Sequence, residues 1–174
     1  MLSDKELADK AYELAYQYEA ERGSCPQCVL SAVKETLNIG DEQTIQAADA
    51  LAGGTALSAQ GTCGALVGGL LAISSIVGRT YQDFSEGKRK RKVFRYAKML
   101  YDRFEQEYGT PLCRDVQTTL FGRFYKLDDK EEYAMFEAAG AHVDKCPSVS
   151  GNVARWTVEI ILSELRSQQL RVKN

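Results

Sequence analysis

Residues 61–78 read GTCGALVGGLLAISSIVG, a stretch without a single charged side chain. Its apolar character makes a membrane-spanning helix one candidate, and Gly64 and Gly68 have the small-xxx-small spacing of closely packed helices. However, the glycines and serines dilute the hydrophobicity, and no aromatic belt flanks the stretch. We therefore predict a helix that is buried on all sides within a soluble bundle, with Cys63 at its start. A small membrane protein is the less favoured alternative.

The rest of the chain shows the periodicity of amphipathic helices. Ser3 and Glu6 match a capping box, which predicts a first helix that ends at Gly23. Further helices are expected from Ser24 or Cys25 to Gly40, Asp41 to about Ala50, Asp83 or Lys88 to Tyr108, Cys113 to about Phe124, Asp129 to Ala139, and Pro147 or Ser148 to about Leu170. No segment alternates as a strand would. The sequence predicts an all-α fold, a single-domain helical bundle over residues 1–174.

Composition limits the partners of the chain. The 174 residues are 44% hydrophobic and carry a net charge of −2, which suits one sizeable core. This charge gives no general attraction for nucleic acid or anionic lipid, so we expect no nucleic acid and no membrane as partners, but small molecules or proteins. The basic run at residues 87–92 is interpreted as a solvated helix start, because acidic residues follow nearby and no base-stacking platform is present.

The N-terminus and the cysteine count indicate a reducing compartment. Residues 1–6, MLSDKE, match neither a secretion signal nor a lipidation motif, so a cytoplasmic location is expected. Five cysteines in the cytoplasm are more often reduced thiols, metal ligands or transient redox groups than permanent disulfides. The odd number also argues against a fully paired framework.

Four of the cysteines lie at or near the predicted start of a helix: Cys28, Cys63, Cys113 and Cys146. Exposed N–H groups and the helix dipole stabilise a thiolate at such a position. The thiol pKa can fall from about 8.5 into roughly the 3.5–7.5 range, which makes the sulfur a nucleophile or a metal ligand. The alternative is that each thiol is an inert apolar filler of the core.

The segments around these cysteines resemble a known family. Residues 28–33 (CVLSAV), 63–68 (CGALVG) and 109–115 (GTPLCRD), followed by Cys146 before an apolar helix, are similar to the C_GCAxxG_C_C family over about residues 24–165. The resemblance implies a helical fold and a redox activity that depends on the four shared cysteines. A related domain occurs in split-Soret cytochromes, but this chain has no Cys-x-x-Cys-His motif, so haem is not implied.

Two further residues belong to the candidate site. Cys25 completes a Cys-x-x-Cys with Cys28, and this pair at a helix start resembles the dithiol of disulfide oxidoreductases. Those enzymes carry the motif in a βαβ setting that is absent here, so an incidental loop residue is at least an equal alternative. His142 is the single histidine, and it is either a ligand or proton carrier or simply an exposed or hydrogen-bonded side chain.

Three functions are compatible with these residues. In the first, a thiolate such as Cys28 or Cys63 attacks a disulfide and a second cysteine resolves the mixed disulfide, as in a thiol–disulfide oxidoreductase. In the second, an iron–sulfur cluster or another thiolate-bound metal serves electron transfer and is held by Cys28, Cys63, Cys113 and Cys146. The third is a structural helical interaction module without redox chemistry. The expected partner is a redox protein or a small-molecule thiol or disulfide, and the glycine-rich helix is compatible with a homodimer.

Overall fold

The structure of the protein, a computed structural model, describes residues 2–172 and the side chains of residues 2–166. The helices are α1 (Asp4–Arg22), α2 (Cys25–Leu37), α3 (Glu42–Ala47), α4 (Gly64–Val77), α5 (Tyr81–Ser85), α6 (Lys92–Tyr108), α7 (Cys113–Phe121), α8 (Lys130–Ala138) and α9 (Cys146–Val172). A 3₁₀ turn lies at Asp49–Leu51 and a π-helical turn at Ala141–Lys145. Within residues 2–172 no strand forms, and a single isolated bridge joins Thr62 to Leu112. The predicted all-α fold is confirmed.

Helix α4 occupies the centre of the bundle. It packs against α2, α6 and α9, while α1, α2 and α9 also pack against one another. Seven of its 14 residues are buried, between Gly64 and Ile73. The partly buried side chains of its C-terminal half, such as Leu70 and Ile76, pack against the same core. The uncharged stretch therefore forms the predicted buried central helix, but Ser74 and Ser75 are exposed, so the helix is not buried on all sides.

The glycines of α4 allow the backbone of α2 to come closer than a Cβ atom would permit. A Cβ added at Gly68 would lie 2.6 Å from the carbonyl oxygen of Pro26, in the first turn of α2. A Cβ added at Gly64 would lie 2.6 Å from Sγ of Cys25. Gly64 and Gly68 are four residues apart and thus on one face of α4, and together they bring the N-terminal ends of α2 and α4 into contact.

The helix predicted to run from Asp83 or Lys88 to Tyr108 ends as predicted but begins at Lys92, so the start at Asp83 is wrong and the start at Lys88 lies four residues too early. Because α5 ends at Ser85 and α6 begins at Lys92, most of the basic run forms a loop. Thr80 and Asp83 make a capping box that starts α5. Nζ of Lys90 lies 2.6 Å from the carboxylate of Asp83, which folds the loop back onto α5. In the sequence the apolar periodicity of α6 is stronger than the signal of this capping box, so the separate short helix α5 is easily overlooked.

Among the described residues, no helix combines the length and the hydrophobicity that a membrane span requires. Helix α4 itself has 14 residues, which at about 1.5 Å per residue extend over about 21 Å. The hydrocarbon core of a bilayer is about 30 Å thick.

Gly68→Ala is expected to destabilise the protein by about 1–2 kcal/mol, although alanine is the better helix former. The added Cβ would meet backbone atoms of Pro26, which cannot move cheaply. Overpacking of this kind costs about 1–3 kcal/mol, and here the upper part of that range outweighs the gain of about 1 kcal/mol in helix propensity. Urea denaturation followed by circular dichroism measures the change.

The matched control is Ser74→Ala, at an exposed position of the same helix. It should change the free energy of unfolding by less than about 0.5 kcal/mol. A Gly68→Ala protein as stable as this control would show that α2 and α4 do not need their close contact.

Candidate functional site

Four cysteines line one cavity of about 180 Å³ at the N-terminal end of α4. Each stands at the start of a different helix, and they are Cys25 in α2, Cys63 before α4, Cys113 in α7 and Cys146 in α9. All five cysteines of the chain are free thiols. Because a free helix N-terminus carries a partial positive charge, the starts of α2, α4 and α7 favour an anionic occupant. The start of α9 differs, because the π-helical turn before it already accepts the N–H of Cys146.

Cys28 does not line this cavity. Its Sγ donates a hydrogen bond of 2.9 Å to the carbonyl oxygen of Gly23, and the residue borders a separate surface pocket with Asp49. The two cysteines of the Cys-x-x-Cys therefore face different spaces, although the carboxylate of Glu19 helps to raise the thiol pKa of both. The structure places Cys25, and not Cys28, beside the three other cysteines that the sequence proposes, Cys63, Cys113 and Cys146.

Backbone hydrogen bonds hold the segments of Cys63 and Cys113 side by side. The N–H of Cys63 donates to the carbonyl oxygen of Pro111 at 2.8 Å, and the N–H of Cys113 donates to that of Gly61 at 2.9 Å. This pairing of residues 61–63 with residues 111–113 fixes the starts of α4 and α7 relative to each other. The sequence gives no sign of this pairing, because three paired residues are too few to show an alternating pattern.

A left-handed turn forms the wall next to Cys113. All five residues from Gly53 to Leu57 have positive φ angles, between 52° and 70°. Three of them are not glycine, and for such residues this conformation costs about 1–2 kcal/mol each. Glycine is required at Gly54 for a further reason, because a Cβ there would lie 2.7 Å from Cβ of Cys113. Strained backbone concentrates at functional sites, and Gly53 and Leu57 line the cavity.

Burial raises the pKa of all five thiols, so the prediction of lowered thiol pKa values is wrong. At Cys63 the loss of solvent is the largest cause and raises the pKa to about 12, although hydrogen bonds from the N–H groups of Ala65 and Leu66 act in the opposite direction. At Cys25 the carboxylate of Glu19 adds to the effect of burial. Without a bound cation, the cavity cysteines are therefore protonated at neutral pH.

Glu19 is a buried carboxylate in the cavity wall that the sequence analysis did not identify. Only 2% of the residue is exposed, and its Oε2 accepts a 3.1 Å hydrogen bond from Oγ of Ser150. Nε2 of His142 lies 3.6 Å from the other carboxylate oxygen. Nδ1 of His142 lies 2.7 Å from Oε1 of Glu137, whose side chain is 38% exposed. One imidazole ring thus connects the buried carboxylate with the surface.

The sequence does contain a signal for Glu19. Helix α1 buries Ala11 and Ala15, and Glu19 follows Ala15 at the next helical repeat on the same face. A carboxylate on the apolar face of a helix is costly unless it has a polar partner. His142 is that partner, and the hydrogen-bonded interpretation of this histidine agrees with its contacts.

The remaining wall is mostly apolar, with Val116, Leu120, Leu127, Phe136 and Val149 among its side chains. Gln117 is 3% exposed and holds Cys113 in place, because its Nε2 donates to Sγ at 3.5 Å while its Oε1 accepts from the N–H of Tyr125 at 2.7 Å. In the part of the chain that the structure describes, no three His, Cys, Asp or Glu side chains are close enough together to hold one metal ion. The four cysteines line a space and do not meet at a point.

In the reduced, metal-free protein we expect slow alkylation of the cavity cysteines by iodoacetamide at about pH 8. The thiolate is the reacting form, and the raised pKa values keep these thiols protonated. Mass spectrometry of timed samples should give rates about tenfold or more below those of the denatured chain, since each pKa unit is a factor of ten. Equal rates in folded and denatured protein would contradict the raised values.

His142→Gln should lower the stability most at acidic pH. Because Glu19 raises the pKa of His142, the folded protein binds this proton more tightly than the unfolded chain does. The stabilisation is fully present below the ordinary pKa of 6.5 and is lost as the pH rises through the raised value. Below that pH we expect the variant's free energy of unfolding to be lower than that of the wild type by about 2 kcal/mol, the size of a hydrogen bond to a charged group. Urea denaturation of both proteins across this range measures it, and a difference independent of pH would refute the assignment.

A family profile described as "Putative redox-active protein (C_GCAxxG_C_C)" matches residues 23–160. No curated protein and no solved structure matches the chain. The matched region agrees with the predicted 24–165 to within a few residues and contains all five cysteines and His142. Since the match covers well over half of the sequence, the chain belongs to the C_GCAxxG_C_C family.

Proposed function

We propose that the protein is an electron carrier in which an iron–sulfur cluster is held by the four cavity cysteines, Cys25, Cys63, Cys113 and Cys146. The observation that supports this proposal most directly is that four thiols, each at the start of a different helix, line a single cavity. Two thiols are sufficient for a disulfide, whereas four soft sulfur ligands are the usual set for an iron–sulfur cluster. When bound, such a cluster takes up and releases single electrons.

The size of the cavity supports an occupant. Protein interiors are close-packed, and voids much larger than a water molecule are few. A space of about 180 Å³ among thiols, a carboxylate and an imidazole is therefore room for a bound group. The close approaches at Gly54 and Gly64 bring the backbone directly against Cys113 and Cys25, so the wall leaves no room for other side chains there. The donor set and the shape of the wall both fit a group bound through sulfur.

The electrostatics of the site also suit this function. Four thiolates would place strong negative charge in a poorly solvated cavity, and the free N-termini of α2, α4 and α7 lower its cost. Loading removes protons, because the thiolate and not the thiol binds metal. The side chains of Glu19, His142 and Glu137 form a chain of polar contacts that leads from the cavity wall to the surface and offers such protons a path. Ser150 holds Glu19 for this task through its 3.1 Å hydrogen bond.

Thiol–disulfide exchange is the second candidate, and the position of Cys25 favours it. Its Sγ lies against Gly64, the residue that follows Cys63, so the two cysteines are near neighbours. In this reaction the two thiols would reduce a small-molecule disulfide, with formation of one protein disulfide and release of two small thiols. The raised pKa values disfavour it, because the attacking group must be a thiolate.

Replacement of single cysteines separates these functions. After anaerobic purification, we expect iron and acid-labile sulfide with visible absorbance in the wild type, and their loss in Cys25→Ser and Cys63→Ser. Cys28→Ser is the matched control, because Cys28 lies three residues from Cys25 on α2 but outside the cavity, and it should keep the full iron content.

Other outcomes identify the alternatives. If the protein is colourless and metal-free, and its number of free thiols changes by pairs between oxidant and reductant, its function is disulfide exchange and not electron transfer through a cluster. Loss of iron in Cys28→Ser with retention in Cys25→Ser would refute the ligand set. If the protein contains no metal and its number of free thiols does not change reversibly, both redox functions are refuted and the structural interaction module remains.

A further inference from the structure

Residues 79–95, the basic–aromatic segment, combine exposed aromatic rings with strong positive charge. The segment has seven basic and two acidic residues, a net charge of +5, whereas the whole chain carries −2. The rest of the chain therefore carries −7. Three aromatic residues are largely exposed: Tyr81 by 86%, Phe84 by 63% and Phe94 by 74%. Tyr81 and Phe84 share one short helix, and large apolar groups exposed side by side mark an interaction surface.

Contacts within the segment connect the rings with the charges. The guanidinium of Arg79 lies 5.3 Å from the centre of the Phe84 ring. Tyr81 and Phe84 are three residues apart on α5, so they lie at neighbouring positions on one side of the helix. Arg89 and Arg91 form no ion pair with any residue that the structure describes. Their charges are available to a partner.

The segment lies at the end of α4 that is opposite to the cavity. Nζ of Lys90 donates to the carbonyl oxygen of Gly78, directly after α4, at 3.4 Å. The cavity is at the other end, beside Cys63, and the 14 residues of α4 separate the two by about 21 Å. A protein that exchanges electrons or disulfides with the thiols must reach the cavity. The basic–aromatic segment is therefore not placed to bind such a redox partner.

We propose that the basic–aromatic segment docks on an anionic lipid bilayer. Basic side chains bind the phosphate groups of such a surface, and aromatic rings enter the interface between headgroups and acyl chains. A two-fold dimer through this segment would bring +5 against +5. Base stacking of a single-stranded nucleic acid would compete with Arg79 for the Phe84 ring. The expectation of no membrane partner rests on the net charge, which averages the segment with the acidic remainder.

Vesicle flotation with the full-length chain tests the proposal. We expect binding to vesicles of phosphatidylglycerol and phosphatidylcholine, no binding to phosphatidylcholine alone, and weaker binding at higher salt. Arg89→Gln with Arg91→Gln should weaken binding about thirtyfold, because each basic residue near an anionic surface contributes a factor of about five. Tyr81→Ser with Phe84→Ser should weaken it about tenfold.

The matched control is Lys5→Gln with Lys126→Gln, which removes the same charge from exposed positions outside the segment. Its vesicle binding should change less than twofold. Three results would overturn the proposal: no binding to anionic vesicles, equal loss in the control, or tighter binding of single-stranded RNA that the arginine variants abolish. Circular dichroism checks that each variant is folded, and none of these residues lines the cavity.

Discussion

The close approach of α4 to the first turn of α2 is the constraint on which the site depends. Gly64 and Gly68 leave no side chain between the two backbones, so α4 begins directly against Cys25 and Pro26. A larger residue at either glycine would push the helices apart, and the distance between Cys25 and the start of α4 would grow with it. Two glycines of the stretch serve this contact, whereas Gly69 allows the close approach of Leu100 and Thr157 from α6 and α9. The same composition that suggests a membrane span serves a packing contact between two helix starts.

The thiols show how burial and helix dipoles compete. A helix N-terminus stabilises an anion by about 0.3–1 kcal/mol and by up to about 2 kcal/mol in the best geometries, which corresponds to at most about 1.5 pKa units. Full burial shifts a pKa by up to about 3–5 units in the other direction. Burial therefore prevails at Cys63, whose pKa rises to about 12. A bound cation changes this balance, because its own charge replaces the lost solvation of the thiolates.

The sequence predicted what is encoded locally. The capping box of α1 and the apolar periodicity of α4 involve residues within a few positions, and both helices begin where the sequence places them. The choice between Cys25 and Cys28 is different, since both occupy the first turn of α2. Which one faces the cavity depends on the rotation of α2, and the contact of Pro26 with Gly68 sets that rotation. The left-handed turn at residues 53–57 likewise needs its tertiary neighbours to offset its strain.

Helix α4 also separates two kinds of surface. Its N-terminal end meets the thiol-lined cavity, and its C-terminal end leads into the basic–aromatic segment about 21 Å away. Exposed charges are screened over about 8–10 Å at physiological ionic strength. The +5 of residues 79–95 therefore acts mainly on a nearby surface, although Glu164 from the rest of the chain pairs with Lys92. For this reason the net charge of −2 is a poor guide to partners, and the local charge of the basic–aromatic segment is the better one.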